Sequence, residues 1–250
     1  MTVRSYPSQN PGNHFRKRAA KYDNSSHWVN DLTLIKKMLQ LSGASKTSRV
    51  LDVAIGTGKI SQVFRRKAGY VVGLDNCRQM IARAQGSADA TVLSNAEKLP
   101  FKNSSFDICV CRQGLQFMHL DKVLPEMLRV LKPSGKVVLC HLTAHSQADR
   151  QLTFHVQRLR NPARKNFFLP QDVSLALKRN GFSGIKNVEY ITRESVNKWI
   201  DNGAISKGAK EKIKEAYRRA PEDFKRTHNV RFAGRDIFDS MKMVIACGKK

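Results

Sequence analysis

Apolar residues fall in short clusters along the chain, and the spacing inside each cluster sorts them into strands and helices. Val50-Leu-Asp-Val53, Tyr70-Val-Val-Gly-Leu-Asp75, Thr91-Val-Leu93, Phe106-Asp-Ile-Cys-Val-Cys111 and Lys136-Val-Val-Leu-Cys-His141 are near-continuous apolar runs of strand length. Helical patterns separate them: from about Lys59 to Lys67, from about Arg78 to Gln85, and from Leu120 to Leu131. Strands alternating with helices at this pitch predict an α/β fold, a parallel sheet with helices on both faces. Upstream, residues 1–12 are polar with Pro7, Pro11 and Gly12 and read as a mobile tail. His14–Lys21 and Ser26–Leu41 suit helices, the second with Trp28, Leu32, Ile35, Met38 and Leu39 near helical spacing.

The pattern loosens beyond His141. Residues 143–168 are polar and basic with little apolar periodicity, more like an inserted cap than a layer of the sheet. Pro170–Asn180 reads as a helix with Gly181 just past its end, Ile185–Ile191 as a sixth strand, and Glu194–Ile200 and Ala204–Ala220 as further helices. Met241-Lys-Met-Val-Ile-Ala-Cys247 is a closing strand. The expected organisation is the tail followed by one domain, residues 13–250, with cap insertions at about 143–168 and 193–235.

Charge changes this picture only slightly. The 250 residues hold 45 Lys and Arg against 20 Asp and Glu, a net +25 that would suit nucleic acid, an anionic membrane surface or an anionic small substrate. The surplus is scattered, from Arg16-Lys-Arg18 through Arg65-Arg-Lys67 to Arg218-Arg219, whereas a dedicated nucleic-acid binder concentrates it. The basic 204–220 helix therefore reads as a solvated face. The five cysteines sit in or beside apolar runs with no CxxC spacing, as buried thiols of a reducing compartment. No apolar run reaches the roughly 18 residues of a membrane span, and a cytoplasmic location is expected.

The chemistry centres on Val50-Leu-Asp-Val-Ala-Ile-Gly-Thr-Gly58, a strand that breaks at small residues before a helix. Such a turn lets a ligand approach the backbone closely. Asp75, at the end of the next strand, is placed like the acid that takes ribose hydroxyls in nucleotide-binding folds. An NAD-type turn would need a third glycine where Ser61 stands.

These residues resemble the class I S-adenosylmethionine-dependent methyltransferases. Val50–Gly58 is similar to the family's first motif, with Ala54 in place of its first small glycine; Val72-Gly-Leu-Asp75 with Met80-Ile-Ala-Arg-Ala84 resembles the second. Asn95-Ala-Glu-Lys-Leu-Pro-Phe101 looks like the adenine-flanking segment, and Ser105–Val110 and Leu128–Gly135 match the fourth strand and the turn before the fifth. Phe15–Asp23 resembles the N-terminal segment of the quinone-biosynthesis-like branch.

The resemblance implies a Rossmann-like doubly wound sheet of seven strands, the last antiparallel, plus a helical cap. It implies S-adenosyl-L-methionine as cofactor, leaving as S-adenosyl-L-homocysteine. The residues carried over as cofactor-binding are Tyr22, Asp52, Ala54, Gly56, Thr57, Gly58, Asp75, Asn76, Met80, Asn95, Ala96, Glu97 and Arg112. For catalysis, His141 and His145 follow the fifth strand at the expected substrate mouth, and Gln113, with Gln116, follows the fourth. A histidine there could take a proton from the nucleophile, or simply make a loop hydrogen bond. No His/Asp/Glu cluster has ligand spacing, so no metal is expected.

The fourth strand leads into Arg112-Gln-Gly-Leu, not the Pro-Pro-Tyr tetrapeptides of nucleobase amino-methylating relatives. A small-molecule methyl acceptor, with an O, N or C nucleophile, is therefore the expected partner. The basic cap points to an anionic or lipophilic, membrane-derived molecule, a reading that charge reversal at Arg158, Arg160, Arg164 and Lys165 would test. The alternatives are an RNA or protein methyltransferase using its basic surface, and a non-catalytic scaffold that has lost the cofactor.

Overall fold

A computed structural model describes residues 11–250; the expected tail over residues 1–10 lies outside the described residues, and Pro11 and Gly12 already belong to a helix. The strands are β1 (Arg49–Val53), β2 (Tyr70–Asp75), β3 (Ala90–Leu93), β4 (Phe106–Arg112), β5 (Leu131–Thr143), β6 (Ser183–Ser195), β7 (Arg231–Ala233) and β8 (Asp236–Lys249). They form one sheet in the order β3-β2-β1-β4-β5-β8-β6, with β7 paired to β8 at its start. β3, β2, β1, β4 and β5 run parallel, while β8 inserts antiparallel between β5 and β6. The doubly wound sheet with an antiparallel closing strand is thus present, and the strand order reverses beside β1.

The helices are α1 (Pro11–Arg18), α2 (His27–Asn30), α3 (Leu32–Ser42), α4 (Lys59–Phe64), α5 (Arg78–Arg83), α6 (Leu120–Val130), α7 (Arg150–Arg160), α8 (Asp172–Arg179), α9 (Val196–Ile200), α10 (Lys207–Arg218) and α11 (Glu222–Thr227). Successive strand residues point to opposite faces, so each apolar run feeds two cores. Val50, Val71, Ile108, Val110 and Val138 pack with Leu34, Ile35 and Met38 of α3 and Ile60 and Phe64 of α4. Leu51, Val53, Val72, Leu74 and Val137 pack on the other face with Val123, Leu124 and Met127 of α6 and Val173 and Leu177 of α8. Each fully buried Val, Leu or Phe contributes on the order of 1.5–3 kcal/mol. The five cysteines are buried and unbridged, with Cys109 and Cys111 on the same face of β4.

Three local readings change. The expected 26–41 helix breaks at Asp31, whose extended backbone and side chain, accepting from the Leu34 amide, cap α3. Residues 143–168 hold a regular helix, α7, but its buried face is Thr153, Val156, Gln157 and Arg160, which leaves little apolar period to read. β7 is an exposed three-residue strand without an apolar signature. The two cap segments meet, α10 packing on α7. Among the described residues, no helix is long and apolar enough to cross a membrane.

Candidate active site

The end of β1 opens into a turn in which Ala54, Gly56 and Gly58 all have positive φ, at 60°, 57° and 82°. Ala54 occupies that left-handed region despite its Cβ, at a cost of about 1–2 kcal/mol for an L-residue. Its methyl also explains Gly114, where a Cβ would come within 2.8 Å of the Ala54 Cβ. A Cβ at Gly56 would face the Tyr22 ring at 3.8 Å, so the bare backbone there borders open space under Tyr22. Gly58 has a different reason: a Cβ would lie 1.9 Å from the Ser87 hydroxyl, so this glycine seats α4 against its neighbour.

Asp75 closes β2 and is buried. Its Oδ2 accepts from the Gly56 amide at 3.0 Å and its Oδ1 from the Cys77 amide at 2.9 Å. Burial raises its pKa, and these backbone donors oppose the rise. One bond per oxygen leaves the carboxylate further acceptor capacity. Asp52 lies beneath the turn, where Ser61 donates to it at 2.7 Å; burial lifts its pKa to about 7 against that hydroxyl. The serine that excluded a dinucleotide turn therefore holds the motif's first acid.

A cavity of about 220 Å³ lies across the carboxyl ends of the strands. Of the expected cofactor residues, it brings together Tyr22, Ala54, Gly56, Asp75, Asn76, Met80, Asn95, Ala96, Glu97 and Arg112. Asp52, Thr57 and Gly58 stand outside its lining. Thr57 instead donates to Asp23 at 2.5 Å, and Asp23 also receives Arg83 at 3.1 Å, tying the N-terminal segment to the turn. Arg112 donates to the Trp28 and Val29 carbonyls at 2.9 and 3.0 Å, clamping α2 from below while lining the cavity.

Asn95 accepts from the Glu97 amide at 3.0 Å, a local turn that presents Ala96 to the cavity. Glu97 accepts from the His119 amide at 2.8 Å and ring nitrogen at 3.0 Å. Burial works against its charge, but His119 and Lys165 outweigh it and hold the carboxyl low. Phe15, Phe117, Met118 and Lys165 also line the space and escaped selection as site residues. Phe15 and Phe117 meet edge to face at 4.9 Å, from parts of the chain that nothing local in the sequence connects.

The histidines are placed away from this cavity. His141 is fully buried in β5, its Nδ1 3.1 Å from Gln116 Oε1, and burial followed by the Arg164 charge drives its pKa down to about 3. His145 bonds the Ser240 carbonyl at 2.8 Å and packs on His228 with ring centroids 4.3 Å apart. Of the three catalytic candidates only Gln113 lines the cavity, and it does so with a strained φ of 58°.

This donor and acceptor set fits an adenosyl group: a carboxylate with spare acceptor capacity, a Cβ-free turn, and an apolar slot between Leu74, Ala96 and Met118. Residues 51–139 match the family described as Methyltransferase domain. A malonyl-[acyl-carrier protein] O-methyltransferase of Pectobacterium atrosepticum is 30% identical over 69% of this chain and 68% of its own. An uncharacterized protein of Methanocaldococcus jannaschii is 27% identical over 82% of this chain and 93% of its own. Among solved structures, the YcgJ protein of Bacillus subtilis superposes with a TM-score of 0.79 at 21% identity, covering 86% of this chain and 97% of its own. The chain belongs to the class I S-adenosylmethionine-dependent methyltransferases.

Proposed function

We propose that the protein transfers a methyl group in line to an O, N or C nucleophile of a small molecule, in the reducing cytoplasm. The observation that carries this reading is Asp75, buried at the rim of a cavity that Tyr22, Phe15 and Phe117 cover. S-adenosylmethionine supplies the methyl as an electrophile on a sulfonium. Asp75 would accept from the ribose hydroxyls, Asn95, Ala96 and Met80 would border the adenine, and Gly56 with Ala54 would leave room for the methionine end.

The chain's own contribution is alignment and exclusion of water. Orientation alone can supply several orders of magnitude, and a dry site favours a reaction in which positive charge is dispersed. Tyr22 and Phe15 roof the cavity from the N-terminal segment. His141, neutral and buried, is unsuited to carry a proton to bulk solvent, so a protonated nucleophile would lose its proton elsewhere. The ion pairs of α10 and α11, such as Lys214 to Glu211 and Lys225 to Glu222, satisfy much of their charge within the helix. That supports a solvated face over a polyanion groove.

Transfer of labelled methyl from S-adenosylmethionine into a metabolite extract, run beside total RNA, tests the reading. Label is expected in the small-molecule fraction. Label in RNA alone, with an uptake that falls steeply with salt, would replace it.

A further inference from the structure

Beside the cofactor cavity lies a second, smaller pocket of about 20 Å³. Phe15, Tyr22, Gln113 and Phe117 line both spaces, so the pocket adjoins the cofactor cavity without being part of the adenosyl slot. Arg18, Arg160 and Arg164 converge there beside Trp28, Trp199 and Leu142, and neither Asp nor Glu lines it. Arg18 is 3% exposed and Arg160 6%. Glu194 is the nearest compensating acid for Arg160, and it is committed to the His27 and Trp28 amides at 2.8 and 3.0 Å.

The hydrogen-bond inventory of this wall is one-sided. Arg18 Nε and Nη2, Arg164 Nε, Asn161 Nδ2, Gln113 Nε2 and Trp28 Nε1 are buried without a partner. All are donors. Arg160, by contrast, is held by the Trp199 carbonyl at 2.9 Å and Ser26 at 3.3 Å, and contributes charge more than free N–H groups. Gln113 is aimed by a relay: His141 meets Gln116 Oε1 at 3.1 Å, and Gln116 donates to Gln113 Oε1 at 2.9 Å, leaving the Gln113 amide N–H free. Its positive φ marks the same residue as strained.

Buried guanidiniums without counter-charge are strongly unfavourable. Burial, then neighbouring Arg18, depresses even Arg164 to about 9. A set of donors with no free acceptor matches a group that only accepts, an anionic oxygen pair. The space is little larger than a single water needs, which suits the planar two-oxygen carboxylate over the bulkier tetrahedral phosphate.

We propose that the methyl acceptor carries a carboxylate, anchored in this pocket by Arg18, Arg164, Asn161 and Gln113. The inference rests on the small-molecule methyltransferase reading and narrows its substrate class. A carboxylate so neutralised is a poor nucleophile, so the atom that receives the methyl belongs to another part of the acceptor, reaching past Gln113 and Tyr22 into the cofactor cavity. The inward Arg160 of α7, one of the polar residues that hid that helix from a periodicity reading, is then part of a polar wall built against the sheet.

Calorimetric titration of the full chain, loaded with S-adenosylhomocysteine, against hexanoate, hexanamide and inorganic phosphate tests the anchor. Hexanoate is expected to bind at least about tenfold tighter than the isosteric amide and to outcompete phosphate, because charged donors lose their partner otherwise. Arg18→Met and Arg164→Gln should each weaken hexanoate by about tenfold or more, and Arg164→Gln, whose ring contact is Phe167 outside the cofactor cavity, should leave S-adenosylhomocysteine affinity within about threefold. Equal affinity for hexanoate and hexanamide, tighter phosphate binding, or indifference to both substitutions would overturn the proposal. Should the variants fold poorly, the arginine Nε–H resonances of the wild-type protein decide it: they shift with hexanoate and not with hexanamide, and no difference counts against the anchor. Failure of S-adenosylhomocysteine to bind would sink the methyltransferase reading instead, and the carboxylate arm is then read on the unloaded chain.

Discussion

Ala54 carries a side chain through a backbone conformation that glycine adopts at no steric cost. Its φ of 60° places it in the left-handed region, and Gly114 has to stay bare to make room for its methyl. Ala54→Gly is therefore expected to stabilise the fold by about 0.5–1 kcal/mol, the relieved strain exceeding the entropy that glycine adds to the unfolded chain. Chemical denaturation measures this, and a loss of stability would show that the Ala54 methyl contributes more by packing than the strain costs. The same residue shows what a sequence can and cannot convey. The spacing of Ala54, Gly56, Gly58 and Asp75 made the turn legible, because a strand-end acid and small residues at fixed offsets are local features. The separate jobs of the three small residues were not, because each depends on a distant partner: Gly114, Tyr22 and Ser87.

At the scale of elements, the N-terminal segment is strapped over the site by Thr57, Arg83 and Lys59 converging on Asp23. Thr57→Val removes the shortest of these links, and the release rate of S-adenosylhomocysteine is expected to rise about two- to tenfold with little change in melting temperature. Stopped-flow displacement reads it, and an unchanged rate would mean that the strap does not gate the cavity. Across the cap, His228 of the α11 end lies between Asp239 at 2.9 Å and Asp149 at 3.0 Å, with Tyr217 also donating to Asp239. Burial alone would lower the His228 pKa, but the two carboxylates raise it to about 9 from 6.5.

The folded value lies above the unfolded one, so this contribution is complete below about pH 6.5 and disappears as the pH climbs through about 9. Asp149 is held below its ordinary value: burial opposes the charge, while His228 and the His145 and Ser146 amides favour it, so its share is lost only in acid. Wild-type melting temperature should fall between about pH 7 and pH 10 more steeply than that of His228→Gln; parallel curves would remove the histidine from the account. The parallel strands were readable because they are apolar on both faces, whereas this cap was not. α7 buries Thr153, Gln157 and Arg160, and α11 buries Phe224 amid charged residues, so burial there leaves no apolar period.

Over the whole molecule, one sheet separates two apolar cores and carries its ligand-facing residues at the strand ends, while charge is distributed between surface and pocket. The net +25 is in part solvated, as in the paired helices α10 and α11, and in part turned inward at Arg18, Arg160 and Arg164. Of the four basic residues singled out in the cap, Arg158 is exposed over Phe167, and Lys165 stands 3.2 Å from His119 at the cofactor cavity. Arg160 and Arg164 reach the second pocket. Composition could register the surplus but not its direction, since burial of an arginine is decided by packing across the fold.

Isothermal titration of S-adenosylmethionine into wild type and Asp75→Asn decides whether the Asp75 carboxylate holds the cofactor in the cavity at the β1 and β2 ends. Wild type is expected to bind, and the substitution to weaken binding by about 10- to 100-fold through loss of charged hydrogen bonds. The ligand-free melting temperature should fall modestly, because asparagine keeps only one of the two oxygens that accept from the Gly56 and Cys77 amides. No binding by the wild-type chain, or equal affinity in the two proteins, would contradict that role of Asp75.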